Sequence, residues 1–391
     1  MDKKLKILQI ATPVLPISPS MKYGGVERVV RDLDIEYVRR GHDSLVISSK
    51  NSLVAGRLIP SLLENTWQHS KGSVEYETDP AKVKQSFENH CLRCVKVILE
   101  ENPDAVHDHT KFVTSDAYKN SNLSIPILTT LHGDLDSRGI EAIKKISKVR
   151  KEGINYFNAI SESQRAIFSE AMPMDFTVLN AIDVPNYPFQ QEKRNYFFSI
   201  GKMDKNKGQD ICIDVAKSLN EKLVIAGPVH SFRSWLKKYW EDKIKPNIDS
   251  FYENIPAEQI DKFTRNFEKS NQQIIYVGEV NDKQKQEWFK YAKGFLMPIR
   301  WNEPFGLVMV ESMACGTPVI AYDEGAVSEV ITHGKVGYIA KPNDLGNFLY
   351  YTKKVGDINQ SNCRNHVIER FNIKRQAEDY LRIFSKISKK N

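Results

Sequence analysis

The chain contains 391 residues, of which 41% are hydrophobic and 27% charged, and its 56 Lys and Arg against 49 Asp and Glu give a net charge of +7 at pH 7. This composition is typical of globular proteins and excludes fibrous and disordered classes, and no segment approaches the roughly 18–20 apolar residues that a membrane-spanning helix needs. Because a single hydrophobic core stops growing near roughly 250–300 residues, we expect two domains.

Short apolar runs alternate with helical patterns along the first half, which is typical of βαβ units around a parallel sheet. The first helix is predicted from Gly25 to Arg40, where valines and leucines recur on one face, and Gly41 is expected to end it. The predicted strands of this half are Lys6–Ala11, Ser44–Ser48, Ala105–His109, Ile125–Leu131, Tyr156–Ile160 and Phe176–Leu179.

The segment from Val184 to Asn195 is polar, contains two prolines and has no periodicity, so we place the domain boundary there. The same alternation then restarts, and the stretch between Pro228 and Gln272 is predicted to be a helical insertion. An amphipathic helix from Ile373 to Ile387 ends the chain. The predicted strands of this half are Tyr196–Ile200, Lys222–Ala226, Ile274–Val277, Gly294–Pro298, Val319–Tyr322 and Gly337–Ala340. Two such doubly wound α/β domains, facing each other, would leave a central cleft at the carboxyl ends of their strands.

The most specific segment, IRWNEPFGLVMVE, occupies residues 299–311. A strand is predicted to end just before it and a helix to begin at about Pro304. Gly306 leaves the helix N-terminus bare, so backbone N–H groups can meet a phosphate there. Glu303 precedes the helix and Glu311 lies two turns along it, so the two carboxylates could accept hydrogen bonds from sugar hydroxyls on either side of a diphosphate. The alternative, helix-end charge and a solvated Glu, explains each residue singly but not both together.

Two lysines, Lys202 and Lys207, follow the first strand of the second half and lead into a helix. Each charge-assisted contact to a diphosphate contributes about 1.5–3 kcal/mol, although both could be ordinary surface lysines. Gly24 and Gly25 lie between the first strand of the chain and its helix, where glycine lets the backbone approach a phosphate. A bare turn would explain these two glycines equally well.

Three histidines are candidates for the same region. His132 follows a predicted strand and is expected to project into the cleft, while His107 and His109 share one face of a neighbouring strand end. A packed, hydrogen-bonded histidine is the alternative for each of them.

Further short motifs accompany the acidic segment along nearly the whole chain: Tyr23–Arg28, Val106–His109, Thr129–Gly133, Ile160–Ser163, Leu179–Asp183, Ser199–Lys202 with Lys207–Gly208, and Gly325–Ile331. Together they resemble the retaining glycosyltransferases of family 4, whose acidic motif is Glu, seven residues, Glu. The resemblance implies the GT-B fold of two Rossmann-like domains, with an acceptor-binding domain over residues 1–185 and a nucleotide-sugar-binding domain over 186–370. It also implies that residues 371–391 form a helix crossing back to the first domain.

The resemblance implies transfer of a hexose-type sugar from a nucleoside-diphosphate sugar, a UDP-sugar being favoured, to the hydroxyl of a saccharide, lipid-linked or small-molecule acceptor. Glu303 would hold hydroxyls of the donor sugar and Glu311 the ribose. Lys202 stands where similar proteins usually have Arg, so this contact lacks a two-pronged guanidinium. The catalytic residues expected are His132, Glu303, Lys202 and Lys207, and those expected on the acceptor side are His109 and His132. The donor-binding residues expected are Gly24, Gly25, Gly201, Lys202, Lys207, Gly278, Glu303, Phe305, Gly306, Leu307 and Glu311.

Neither a metal ion nor another cofactor is expected. The Asp-x-Asp pairs at Asp32–Asp34 and Asp134–Asp136 lack the context of a metal-binding motif, and Cys91 and Cys94 have no second cysteine pair. Two alternatives to a glycosyltransferase stay open: a sugar-nucleotide 2-epimerase, and a non-catalytic subunit that binds nucleotide-sugars.

The charge and the cysteines suggest where the chain works. Five scattered cysteines and the lack of an export signal predict a cytoplasmic protein. The whole excess of +7 lies after residue 185, partly in a basic and aromatic segment from Arg233 to Lys245 that includes Trp235. This segment is either a solvated helix face or a peripheral contact with an anionic membrane. Nucleic acid is not an expected partner, because no recognisable reading module is present.

Overall fold

The structure is a computed structural model, and it describes residues 3–13, 15–19, 24–61, 80–133, 137–229 and 233–388. The chain divides into two compact units, one formed by Met1–Ile182 with Ile373–Asn391 and the other by Asp183–Asn372. The sequence prediction drew these two limits at residues 185 and 370.

The first unit is built on one parallel sheet. Its strands in the described ranges are β1 (Lys6–Ile10), β2 (Asp43–Ser48), β3 (Arg57–Pro60), β4 (Ala105–Asp108), β5 (Ile127–Thr130), β6 (Asn155–Ala159) and β7 (Phe176–Thr177). They follow the order β3-β2-β1-β4-β5-β6-β7, so the direction of winding reverses between β1 and β4. The strands are rich in Val, Ile and Leu because helices cover both faces of a parallel sheet.

The helices of the first unit are amphipathic and pack on this sheet. Those in the described ranges before residue 182 are α1 (Gly25–Arg39), α2 (Pro80–Glu101), α3 (Asp116–Lys119), α4 (Ser137–Ser147) and α5 (Glu162–Ser169). Val29, Val30 and Leu33 of α1 are fully buried, which confirms the apolar face expected for that helix. The pair Asp32–Asp34 lies within α1, while Asp134–Asp136 lies outside the described residues.

The second unit repeats the architecture. Its strands in the described ranges are β8 (Arg194–Ile200), β9 (Leu223–Ala226), β10 (Ser250–Phe251), β11 (Ile274–Tyr276), β12 (Ala292–Met297), β13 (Val319–Tyr322) and β14 (Gly337–Ala340), in the order β10-β11-β9-β8-β12-β13-β14. Its helices are α6 (Gln209–Leu219), α7 (Ser234–Tyr239), α8 (Ile260–Lys269), α9 (Asp282–Tyr291), α10 (Leu307–Ala314), α11 (Val327–Val330), α12 (Leu345–Lys353) and α13 (Gln360–Arg370). The two parallel sheets confirm the predicted α/β class.

Two edge strands were missing from the sequence prediction. β3 carries an arginine, ends in proline and exposes half of its residues, so it lacks the apolar run that marks a buried strand. β10 contributes only two residues and lies inside the stretch from Pro228 to Gln272, which was expected to be helical throughout. That stretch is therefore not a simple helical insertion, because it extends the second sheet by one parallel strand next to β11.

The last helix, α14 (Ile373–Ser388), belongs to the first unit. The Tyr380 hydroxyl lies 3.3 Å from the Thr130 hydroxyl and accepts a hydrogen bond from the Asn158 amide at 3.1 Å. Arg375 donates to the Leu179 carbonyl at 2.6 Å. α14 thus packs against β5 and β6 of the first sheet, near their carboxyl ends.

Within the described ranges, no helix combines the length and the apolar composition that would be needed to cross a membrane.

Candidate functional site

The carboxyl ends of β8 and β12 lie side by side in the second sheet, at the point where the strand order reverses. Open α/β sheets bind ligands outside the carboxyl ends of strands at such a switch point. Gly201, Lys202 and Lys207 follow β8, whereas Glu303 and Gly306 follow β12. The topology therefore brings the predicted lysines and the first predicted glutamate to the same edge of the sheet.

Lys207 and Glu303 form an ion pair at this edge. The Lys207 Nζ donates to Glu303 Oε2 at 3.1 Å and lies 4.5 Å from the centre of the Trp301 ring. Glu303 is 9% exposed, and the side chain of Lys207 is 29% exposed, so both can reach a ligand. The Trp301 Nε1 atom is buried and has no hydrogen-bond partner in the described part of the chain.

The loop that carries Glu303 packs directly against a glycine in the connection between β13 and α11. The Ala326 N–H donates to the Glu303 carbonyl at 2.8 Å, and Gly325 lies directly on the Glu303 backbone. A Cβ atom on Gly325 would lie 2.3 Å from the Glu303 carbonyl oxygen, at a φ of +63°. Only glycine therefore lets the two loops approach this closely.

We expect Gly325→Ala to lower the free energy of unfolding by at least about 3 kcal/mol, because overpacking adds to the cost of a left-handed residue. Gly334→Ala is the matched control: its φ is +75°, but a Cβ there meets nothing within 4 Å, so about 1 kcal/mol is expected. Urea-induced unfolding measures both values. Equal losses for the two variants would contradict the close approach at Glu303.

The N-terminus of α10 lies beside Glu303. Gly306 precedes the helix with a φ of +82°, and no side chain in the described ranges caps it. Phe305 is 2% exposed, and Leu307 begins the helix. The Met309 N–H donates to the Gly306 carbonyl at 2.9 Å, so within the described residues the N–H groups of Leu307 and Val308 are the donors that this turn leaves open. Such a helix end attracts anions through its free N–H groups and its dipole.

Lys202 is held differently from Lys207. Its Nζ pairs with Asp204 at 3.0 Å, and its carbonyl accepts from the Gln209 amide at 3.0 Å. Gly201 lies beside the aliphatic part of the Lys207 side chain, and a Cβ atom on Gly201 would lie 3.5 Å from Lys207 Cγ. The structure thus brings Lys207, but not the charge of Lys202, into contact with Glu303.

Gly278 lies at the carboxyl end of β11. Its carbonyl accepts from the Gly227 N–H at 2.8 Å, which ties the ends of β9 and β11 together. The side chain of Glu253, in the loop after β10, packs beside it.

Glu311 is engaged by residues that the sequence analysis did not identify. Its Oε1 accepts from the Lys285 Nζ at 2.7 Å and from the Tyr187 hydroxyl at 3.3 Å. Lys285 also pairs with Asp282 at 3.2 Å. Glu311 is 4% and Lys285 7% exposed, so this is a buried ion pair between α9 and α10. The partners lie 26 residues apart in the chain, and neither the periodicity nor a motif marks Lys285.

A second missed contact braces the loop after β12. Arg300 forms a two-pronged ion pair with Asp210 of α6, at 3.1 and 2.9 Å, and the Tyr239 hydroxyl donates to the same carboxylate at 2.9 Å. The Arg300 N–H also donates to the Asn206 carbonyl at 2.8 Å. These bonds tie the loop that carries Lys207 to the loop that carries Glu303.

Three histidines of the first unit, His107, His109 and His132, form a row near the ends of β4 and β5. His107 Nε2 lies 2.8 Å from the Thr130 hydroxyl, and its ring centre lies 4.0 Å from that of His109. His109 Nδ1 lies 2.9 Å from His132 Nε2. His107 and His109 are buried, whereas His132 is only partly buried, so His132 is the ring that a ligand can reach.

Burial favours the neutral form of all three rings. It lowers the pKa of His107 and His109 well below the usual value, and burial together with the charge of Lys111 lowers the pKa of His132 to about 4. The three imidazoles are therefore neutral at physiological pH.

We expect acid to weaken the first unit through its buried histidines. Burial lowers the pKa of His90, on α2, to about 4, against about 6.5 in an unfolded chain, so between these values only the unfolded state binds the proton. Its contribution is complete above pH 6.5 and is lost as the pH falls towards 4. Between pH 7 and pH 5 we expect His90 to lower the free energy of unfolding by about 2 kcal/mol. Between pH 7 and pH 5, the free energy of unfolding of His90→Leu should therefore fall by less than that of the wild type, and the shortfall should equal this amount. Denaturant unfolding at both pH values measures it. An equal fall in the two proteins would contradict this pKa.

Gly24 and Gly25 lie where α1 begins. Gly24 immediately precedes the helix, and the Glu27 side chain packs beside it while accepting from the Thr12 hydroxyl at 2.5 Å. Tyr23, which opens this motif, lies outside the described residues.

Asp34 and the pair Cys91 and Cys94, which the sequence analysis did not assign to a metal site, are buried in the first unit. Asp34 is fully buried and accepts from the Ser44 hydroxyl and from the Ala55 and Gly56 N–H groups, so it anchors the turn before β3. Cys91 and Cys94 are buried free thiols on α2. Among the described residues, no cluster of three or more His, Cys, Asp or Glu has the arrangement of a metal site.

The basic segment around α7 combines exposed and buried aromatic rings. Trp235 is 62% exposed and has the Arg233 guanidinium 5.5 Å from its ring centre, whereas Trp240 is 8% exposed. Lys238 pairs with Asp242 at 2.7 Å.

Two family models match the chain and cover most of its length. One, described as Glycosyltransferase Family 4, matches residues 23–180, and the other, described as Glycosyl transferases group 1, matches residues 185–355. An uncharacterised 41.2 kDa protein in the cps region of Klebsiella pneumoniae is 28% identical over 199 residues, which are 50% of this chain. The match spans only about half of that relative, 47% of its length.

Solved structures share the fold at low sequence identity. Sucrose-phosphate synthase from Thermosynechococcus elongatus aligns with a TM-score of 0.72 at 15% identity, over 99% of this chain and 100% of that one. HepE from Anabaena, in complex with UDP, aligns with a TM-score of 0.68 at 17% identity, over 98% and 100%. With both family models and the two doubly wound sheets, the chain belongs to family 4 of the glycosyltransferases and has the GT-B fold.

Proposed function

We propose that this glycosyltransferase moves a hexose-type sugar from a nucleoside-diphosphate sugar to an acceptor hydroxyl, with retention of the anomeric configuration and with a UDP-sugar as the favoured donor. The observation that carries the proposal is the Lys207–Glu303 ion pair beside the uncapped N-terminus of α10, at the switch point of the second sheet. A cation and free N–H groups suit a diphosphate, and a carboxylate suits sugar hydroxyls. The UDP complex of Anabaena HepE supports the uridine donor.

In this proposal the second unit binds the donor. Cleavage of the bond between the anomeric carbon and the phosphate oxygen leaves negative charge on the β-phosphate, which Lys207, Lys202 and the N–H groups at Gly306 stabilise. Glu303 accepts hydrogen bonds from hydroxyls of the transferred sugar, and Glu311 accepts from the ribose through lone pairs that Lys285 leaves open. The acceptor hydroxyl gives its proton to the leaving phosphate on the same face.

We also propose that transfer needs no metal ion, because the lysines and the helix end supply positive charge for the diphosphate. Activity should therefore persist in the presence of a strong chelator. Loss of activity in the chelator and its recovery on adding a divalent cation would contradict this part of the proposal.

The test of the main proposal is a panel of UDP-, GDP-, ADP- and dTDP-hexoses. We expect one nucleotide class to stabilise the protein, by about 2.7 kcal/mol at 100 times its dissociation constant, and to release free nucleoside diphosphate during slow hydrolysis or transfer. A change in the sugar without release of the diphosphate would indicate epimerisation instead. Binding without either reaction would contradict catalysis on these donors.

We extend the proposal to the acceptor and to the place where the enzyme meets it. The exposed Trp235 and the basic side chains around it support a cytoplasmic enzyme that meets lipid-linked acceptors at an anionic membrane surface. Sedimentation with anionic vesicles should show binding at low salt that high salt removes. Failure to sediment at low salt would contradict the membrane contact while leaving sugar transfer untouched.

A further inference from the structure

His109 and His132 share one hydrogen bond, and its direction determines which nitrogen of His132 carries the proton. His109 Nδ1 lies 2.9 Å from His132 Nε2, and the ring centres lie 5.2 Å apart with the planes 21° from parallel. His109 is 5% exposed and is therefore too enclosed to meet a substrate directly. His132, just after β5, remains partly exposed, so a ligand can reach its ring.

Both rings are neutral at physiological pH, since burial lowers the pKa of each. A neutral imidazole has one N–H donor and one bare nitrogen, so one of the two rings must donate and the other accept. Donation by His132 from Nε2 would leave its Nδ1 bare. Donation by His109 from Nδ1 would place the proton of His132 on Nδ1.

The surroundings of His109 decide between these arrangements. His109 Nε2 is buried and has no hydrogen-bond partner among the described residues. If His132 donated, the proton of His109 would have to lie on this nitrogen, and orphaned N–H groups are rare in protein interiors because their desolvation is not compensated. If His109 donates, its single proton is satisfied. The His107 ring packs 4.0 Å away, held by Thr130, and limits rotation of His109.

We propose that His109 is a positioning residue that donates from Nδ1 to His132 Nε2 and so holds His132 as its Nδ1–H tautomer. This inference rests on the proposed function and on the expectation from the sequence that His132 lies on the acceptor side and contacts the substrate. A histidine in water prefers the other tautomer, with its proton on Nε2. The locked ring therefore presents a neutral N–H donor to an oxygen lone pair of the substrate, and it does not act as a general base.

Nitrogen-15 NMR of histidine-labelled protein tests the tautomer directly, with His132→Gln used to assign the signals. We expect the Nδ1 of His132 to carry the proton in the wild type. In His109→Leu the proton should move towards Nε2, and kcat/KM should fall about tenfold, the usual value of one neutral hydrogen bond. His109→Asn, which places an amide N–H near the former Nδ1, should restore the Nδ1–H tautomer and most of the activity.

His90→Leu is the matched control, because His90 is another buried histidine of the first unit and packs against Phe87 and Cys94. It should change neither the tautomer of His132 nor kcat/KM. A wild-type His132 protonated on Nε2, or a tautomer that His109→Leu does not change, would overturn the inference even if transfer occurs. Absence of transfer with a wild-type Nδ1–H signal would instead overturn the proposed function and leave the geometry standing.

Discussion

Glu303→Gln should lower kcat at least about a hundredfold, the range that follows the loss of one preorganised electrostatic group in an active site. The amide keeps the size of the side chain and can still accept from Lys207, which lies 3.1 Å away. With one lone pair of its oxygen taken by Lys207, the amide can accept from only one sugar hydroxyl, whereas the carboxylate can accept from two or more. The amide also has no charge to stabilise the positive anomeric centre of the transition state. Steady-state release of nucleoside diphosphate measures the loss.

The fold of this variant should be intact. Lys207 is partly exposed and can still donate to the amide of the Glu303→Gln variant, so the free energy of unfolding should change by no more than about 1 kcal/mol. Glu221→Gln is the matched control, because Glu221 also pairs with a partly exposed lysine, Lys293. This pair lies at the amino ends of β9 and β12, away from the carboxyl ends that carry the site. Near-normal turnover of Glu303→Gln, or an equal loss in Glu221→Gln, would remove Glu303 from the site.

In the second unit, the sequence predicts those features that depend on a single strand or on one continuous motif. Buried parallel strands are continuous apolar runs, and the segment from Met297 to Glu311 contains a strand end, a bare helix start and two carboxylates in one stretch. Their placement at the switch point then follows from topology. β3 and β10 escaped prediction because edge strands are short and half-exposed, so nothing selects an apolar pattern in them.

Contacts between distant parts of the chain could not be predicted. The pairs Lys285–Glu311 and His109–His132 are separated by 26 and 23 residues, and each depends on how two elements pack. A lysine on a polar helix has the same local pattern whether it points to solvent or into a neighbouring helix. The sequence therefore identifies the groups that carry charge in this site, but not the partners that fix their direction.

Lys285→Met should lower the free energy of unfolding by about 3–5 kcal/mol, the usual cost of leaving one partner of a buried ion pair uncompensated. Glu311 is 4% exposed, and among the described residues the Tyr187 hydroxyl, at 3.3 Å, is the hydrogen-bond donor that remains for its side chain. Lys290→Met is the matched control on the same helix: Lys290 pairs with Glu287, and both side chains are about a fifth exposed, so we expect a loss of no more than about 1 kcal/mol. Urea-induced unfolding compares the two variants.

The double variant Lys285→Met with Glu311→Leu separates stability from binding. Because apolar residues of similar volume replace the two most buried charges of this cluster, and Asp282 stays in the first turn of α9 where the helix dipole favours a carboxylate, most of the lost stability should return. Nucleotide affinity should not return, since the ribose has lost its carboxylate. Calorimetric titration with the preferred nucleoside diphosphate would then show weak binding to a stable protein. Wild-type affinity in the double variant would mean that Glu311 serves only the packing of α9 against α10.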